Sequence, residues 1–127
     1  MDNKGVITVA SSYPVKDIID RLQAFLRQKG VTIYARIDQQ AEANNAGYTL
    51  RPLEYLLFGN PKAGGAIMAA NALSALDLPL KVIAWEDEQQ KVWLAYNDPA
   101  FIQDRYALPD GIIGPLNLAL IITQVLQ

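Results

Sequence analysis

The sequence predicts an α+β domain: a mainly antiparallel five-stranded sheet with helices on one face, ordered β-α-β(4)-α with an inserted helix. Three observations predict it. A β-branched opening stretch leads into one strongly amphipathic helix and then a second strand. Two later stretches alternate on either side of a short polar turn, as a hairpin does. Two strand-like stretches end in Asn60-Pro61 and Asp98-Pro99, which close a strand and open a helix.

In chain order, residues 5–11 (GVITVAS) read as a strand because β-branched residues favour the pleated conformation. Pro14 suits a helix's first turn. Val15, Ile18, Ile19, Leu22, Phe25 and Leu26 then recur at helical spacing until Gly30. Residues 31–38 alternate, with Val31, Ile33, Ala35 and Ile37 on one side and Thr32, Tyr34, Arg36 and Asp38 on the wet side. A short helical turn follows, stopping near Gly47. Residues 53–58 (LEYLLF) are nearly all apolar, which predicts a central strand. Asn60 caps a helix of small residues over about 61–75. Strands at 79–86 and 91–97 flank the tip Glu86–Gln90 and bring Trp85 and Trp93 together as a cross-strand pair. Asp98-Pro99 starts a short helix. A final helix is predicted over roughly 112–126, apolar around almost its whole circumference and therefore either deeply packed or shared with a second copy.

Composition bounds the chemistry. A chain of 127 residues suits a single domain, 1–127, with one core. It holds no Cys and no His. That removes thiol and imidazole catalysis and the ligands of a structural zinc site. Acid–base work would fall to Asp, Glu, Lys or Tyr. No cofactor and no metal is expected: Glu86, Asp87 and Glu88 alternate between sheet faces and do not converge on a cation. The net charge of −2 argues against a nucleic-acid partner. Residues 1–62 hold 8 basic and 6 acidic side chains, and residues 63–127 hold 3 and 7, a split that a solvated surface accounts for. The first residues lack a signal-peptide pattern, so a cytoplasmic location is expected. Residues 112–122 are apolar but interrupted by Gly114, Pro115 and Asn117 and too short to cross a bilayer, so no membrane association is expected.

Two turns are candidate sites. At Asn60-Pro61-Lys62-Ala63-Gly64-Gly65 a helix N-terminus and a lysine suit an anion, and the glycines allow close approach to the backbone. It is neither a P-loop nor a dinucleotide fingerprint. Plain capping explains the same residues. At Tyr96-Asn97-Asp98 a phenol, an amide and a carboxylate gather at a strand end, and here too capping and turn formation are the ordinary explanation. Arg51, Tyr34 and Arg36 are candidates for a polar patch.

The phrases FGNPKAGG, LPLKVIAWEDEQQKVWLAYNDP, Ile37-Asp38 followed by Ala41-Glu42-Ala43, and Leu50-Arg51-Pro52 together resemble the family catalogued as domain of unknown function 302. The resemblance implies a compact prokaryotic domain with a TATA-binding-protein-like arrangement, often dimeric, and no established activity. Members typically carry His after Ile-Asp, where this chain has Gln39, and often Thr-Pro after KAG, where it has Gly65-Ala66; an imidazole-dependent role does not transfer. Likeness to a DNA-binding fold does not supply DNA binding.

The resulting expectation is a small homodimeric module, more a binder than an enzyme. It would hold a polar or anionic small molecule near Asn60, Lys62, Gly64, Arg51, Tyr96, Asn97 and Asp98, with the C-terminal helix as candidate interface. This requires the ends of the third and fifth strands to share an edge of the sheet. A structural or interaction module, and a small enzyme using Asp98 or Glu86 with Lys62 or Arg51, are the alternatives.

Overall fold

The structure is a computed structural model and describes residues 4–127. Five strands, β1 (Val6–Ser11), β2 (Thr32–Asp38), β3 (Leu53–Gly59), β4 (Leu80–Glu86) and β5 (Val92–Asn97), form one sheet in the order β1-β5-β4-β3-β2. All neighbouring pairs are antiparallel. The helices are α1 (Val15–Gln28), α2 (Gln39–Asn45), α3 (Pro61–Ala70), α4 (Pro99–Tyr106) and α5 (Ala119–Val125).

Helix α1 lies across one face of the sheet. Its stripe of Val15, Ile18, Ile19, Leu22 and Leu26 is buried against Leu56, Phe58, Val82, Ala84 and Leu94. Each such side chain contributes about 2 kcal/mol on burial, an upper figure because the unfolded chain already hides some surface. Ile122 and Val125 of α5 join the same core. A second, smaller cluster joins Ile67 of α3 to Ile102 and Tyr106 of α4, with Leu108 and Leu116.

Three predicted elements differ from those observed. First, β2 carries a bulge between Ile33 and Ala35. Ile33 faces the core beside Phe58, but Ala35 and Ile37 point to the opposite face and Arg36 turns under α1. One extra residue reverses the alternation beyond it. Arg36 then meets Asp20 of α1 at 2.6 Å and the nearly buried Glu54 of β3 at 2.8 Å. Hydrogen bonds from Lys16 and Arg36 hold the Asp20 carboxyl below its ordinary pKa. Second, α3 stops at Ala70. Asn71 leaves helical geometry, caps a 3-10 helix over Ala72–Asp77, and donates its side-chain amide to the Tyr106 carbonyl at 2.8 Å. Third, the predicted final helix divides at Gly114-Pro115 into a 3-10 turn and the seven-residue α5. Leu116 and Leu118 are buried from outside regular α-helix, and within α5 Leu120 is 80% exposed.

The hairpin matches expectation. Trp85 and Trp93 are register partners, and Asp87 ties the tip by accepting hydrogen bonds from the Gln89 and Lys91 amides and from Trp93 Nε1, each at 2.9 Å.

Candidate functional site

Strands β3 and β5 flank β4 and run in the same direction, so their C-terminal ends share one edge of the sheet. Two strand spacings, about 10 Å, separate them. Leu80 and Lys81, at the start of β4, lie between.

At this edge the two turns are built alike. Asn60 Oδ1 accepts hydrogen bonds from the Lys62 and Ala63 amides at 3.0 and 3.4 Å, and the Asn60 carbonyl accepts from Gly64. Asp98 Oδ1 accepts from the Ala100 amide at 3.0 Å, and the Asp98 carbonyl accepts from Phe101 and Ile102. Proline supplies no N–H at the first position of either helix. The amides that would receive an anion at these helix starts are therefore already paired within the turns.

Beside the first turn is an open cavity of about 220 Å³. Its floor is Phe58 and Leu80 of the sheet, its roof Ala63, Gly64 and Ile67 of α3, and its far wall Leu116, Leu118 and Ile121. Tyr34, 49% exposed at the β2 bulge, and Asn60 supply its polar edge. The lining contains no carboxylate, amine or guanidinium. Small residues on α3 keep it open: longer side chains at Ala63 and Gly64 would fill it.

The predicted site residues separate. Asn60 and Gly64 line the cavity. Lys62 is exposed on α3 between the lining residues Pro61 and Ala63. Tyr96 is buried in the main core, where burial first and the Asp98 charge second raise its phenol pKa. Asn97 borders a separate recess of about 10 Å³ with Asp77 and Lys81. Arg51 lies at the opposite edge of the sheet, before β3 begins, and pairs with Glu86 at 3.2 Å. The structure thus brings both turns to one edge but does not bring Arg51 there. Tyr34, Met68 and Pro79 line the cavity without having been singled out as its residues. The signal for it was the run Ala63-Gly64-Gly65-Ala66, a helix too thin to fill the layer it occupies.

Beyond this edge, Asp77 accepts hydrogen bonds from the Tyr106 hydroxyl and from Arg105. Among the described residues no group of His, Cys, Asp or Glu is arranged to hold a metal ion, and no helix is long and apolar enough to cross a membrane.

Fold and site together define an α+β domain with a single antiparallel open sheet, helices over one face and an apolar recess at the strand-to-helix edge. The family model of the domain of unknown function DUF302 matches residues 7–117, and the chain belongs to that family. The crystal structure of an uncharacterised conserved DUF302 protein from Bacillus stearothermophilus superimposes with a TM-score of 0.77, covering 98% of this chain and 97% of that one at 18% identity. Two curated relatives are the fluoride-specific ion channel FluC 1 of Brucella suis biovar 1 (strain 1330) and the FluC 1 protein of Brucella abortus biovar 1 (strain 9-941). Each is 40% identical over 106 residues, which is 84% of this chain. The matched segment is 42% of the first and 39% of the second, so the chain spans about two fifths of the curated relatives it matches.

Proposed function

We propose that this domain binds a small molecule with an apolar body, a single ring or a short acyl chain, in the cavity under α3. The cavity carries the reading. An apolar cavity of about 150 Å³ accommodates benzene, and this one is larger and open to solvent. The uncharged lining supports binding over acid–base catalysis, which needs a titratable group within reach of the substrate. The polar end of the ligand lies outward, toward the Tyr34 hydroxyl and the Lys62 ammonium. The ligand is accordingly amphiphilic, and its anionic character resides in its head.

Thermal-shift titration with octanoate, octanol and indole tests this. Saturation at a hundredfold excess over Kd adds about 2.7 kcal/mol of stability and raises Tm by several degrees. Gly64→Leu abolishes the shift by filling the cavity; a Cβ at Gly64 meets nothing nearer than Met68 Cε at 4.0 Å, so the side chain has room to start from the backbone, and an unchanged circular dichroism spectrum checks that the variant folds. Lys62→Ala weakens octanoate and leaves octanol unchanged. Failure of all three probes to move Tm, or an undiminished response in Gly64→Leu, rejects the reading.

A second reading comes from the curated relatives. They are named as fluoride-specific ion channels, and each is more than twice as long as the segment shared with this chain. We infer that the shared segment accompanies a channel rather than forming its pore, as the lack of a membrane-crossing helix among the described residues supports. The domain would then associate with a membrane protein of that kind. Fluoride flux through a channel reconstituted in liposomes, compared with and without this domain added, decides the point; identical flux and no co-sedimentation with the liposomes reject it.

A further inference from the structure

The Asn60 side chain has two ends, and the fold uses one of them. Its Oδ1 accepts hydrogen bonds from the Lys62 and Ala63 amides. Two N–H donors on one atom fix which end of the side-chain amide is which, because the NH2 end cannot accept. Nδ2, with two hydrogens to give, donates to nothing among the described residues, and Asn60 lines the cavity under α3. Asn71 shows the same device complete. Its Oδ1 accepts from the Leu73 amide at 3.0 Å, and its Nδ2 donates to the Tyr106 carbonyl at 2.8 Å. At Asn60 the second half is left for an oxygen that the described chain does not supply. Capping alone does not call for asparagine here. Aspartate caps equally well, as Asp98 does at the matching turn, and its charge suits a helix start better. A carboxylate at position 60 would instead set a negative charge on a cavity whose lining has none.

We propose that Asn60 is the specificity-determining residue of the cavity and that the ligand's head is a carboxylate, which makes the ligand a short-chain or single-ring monocarboxylate. This rests on the cavity reading given above and adds the head group and the atom that selects it. Asn60 Nδ2 donates to a carboxylate oxygen. The Tyr34 hydroxyl is a second donor in the lining, and the Lys62 ammonium stands on α3 beside it. The rim thus offers hydrogens and no fixed negative charge, whereas a carboxylate offers lone pairs and no hydrogens. A hydrogen bond with an ionised acceptor is about twice as strong as a neutral one, so a carboxylate gains more than an alcohol. An ammonium head is donor-only; it meets donors facing it and is repelled by Lys62. The backbone amides of the helix start play no part, because the turn has already taken them. Side-chain chemistry, not the helix terminus, selects the head.

Titration calorimetry at neutral pH with octanoate, octanol and octylamine tests this, since the three share a chain and differ in the head. Octanoate should bind the wild type about tenfold tighter than octanol, the worth of one hydrogen bond to a charged group, and octylammonium weakest of the three. Asn60→Asp keeps the cap, so the urea midpoint does not fall. Octanoate affinity should drop at least about tenfold on the same reckoning, octanol affinity should hold, and octylammonium affinity should rise. Asn60→Gly costs the helix little and removes the amide without adding a charge; it should bring octanoate close to octanol. Asp98→Asn, the mirror exchange at the other turn, should leave all three affinities unchanged. An octanoate-to-octanol ratio that neither Asn60 variant alters, or octylammonium binding the wild type as tightly as octanoate, overturns the inference and leaves the cavity reading standing. Absence of binding by both octanol and octanoate removes the cavity reading and this inference together.

Discussion

At Asn60-Pro61 and at Asp98-Pro99 a strand ends, a side-chain oxygen caps the next helix and proline takes that helix's first position. What lies behind the two turns differs. Helix α4 sends Ile102 and Tyr106 into the smaller core, and its Phe101 ring lies so close to Gly5 that a Cβ there would collide with it. Gly5 also adopts φ +77, open to glycine at little cost. Helix α3 sends Ile67 inward, borders the cavity with Ala63, Gly64 and Met68, and about 220 Å³ remains open. The recess beside the second turn is about 10 Å³. Identical local chemistry therefore builds a filled corner in one place and a vacant one in the other, and side-chain volume one turn into the helix decides which.

Four substitutions bear on that contrast. The largest expected effect is at Ile102→Ala, which enlarges the small recess that Ile102 borders and costs about 3 kcal/mol in urea unfolding. A loss below about 1 kcal/mol, smaller than the range for such truncations, would mean that α4 is packed as loosely as α3. Asn60→Ala and Asp98→Ala should each cost about 1 kcal/mol, the usual worth of a cap. Equal losses in parallel urea titrations confirm that the turns are the same device; a markedly greater loss at one breaks the equivalence. The smallest effect is a gain. Gly65→Ala, where a Cβ meets nothing within 4 Å, should raise stability by about 0.5–1 kcal/mol through helix propensity. In the octanoate titration it should leave binding intact, since Gly65 does not line the cavity.

Most of the fold was legible because its signals are local. The apolar spacing from Val15 to Leu26 defines α1, and the Asn60 and Asp98 caps place the starts of α3 and α4 within a residue. The hairpin tip follows from polar residues between two alternating stretches. The illegible parts depend on contacts distant in sequence. Asn71 ends α3 by reaching the Tyr106 carbonyl, which a helical pattern from 61 to 75 does not reveal. Leu116 and Leu118 are apolar at helical spacing, yet Gly114-Pro115 redirects the chain and the core buries them regardless. For the candidate site, the shared edge of Asn60 and Asn97 was inferable only as a condition, because strand order was not in hand. Arg51 was grouped with Asn60 as a candidate for one site, but β3 carries the two to opposite ends of the sheet. The cavity is an absence of atoms between four segments, and no single stretch of sequence encodes it except the thinness of α3.

The bulge in β2 has a reach beyond its own strand. By turning Arg36 beneath α1, toward Asp20 and Glu54, it withdraws a guanidinium from the outer side and sends Ala35 and Ile37 there instead. A single surplus residue in a border strand thereby decides which of that strand's groups meet water and which are tucked beneath the helix.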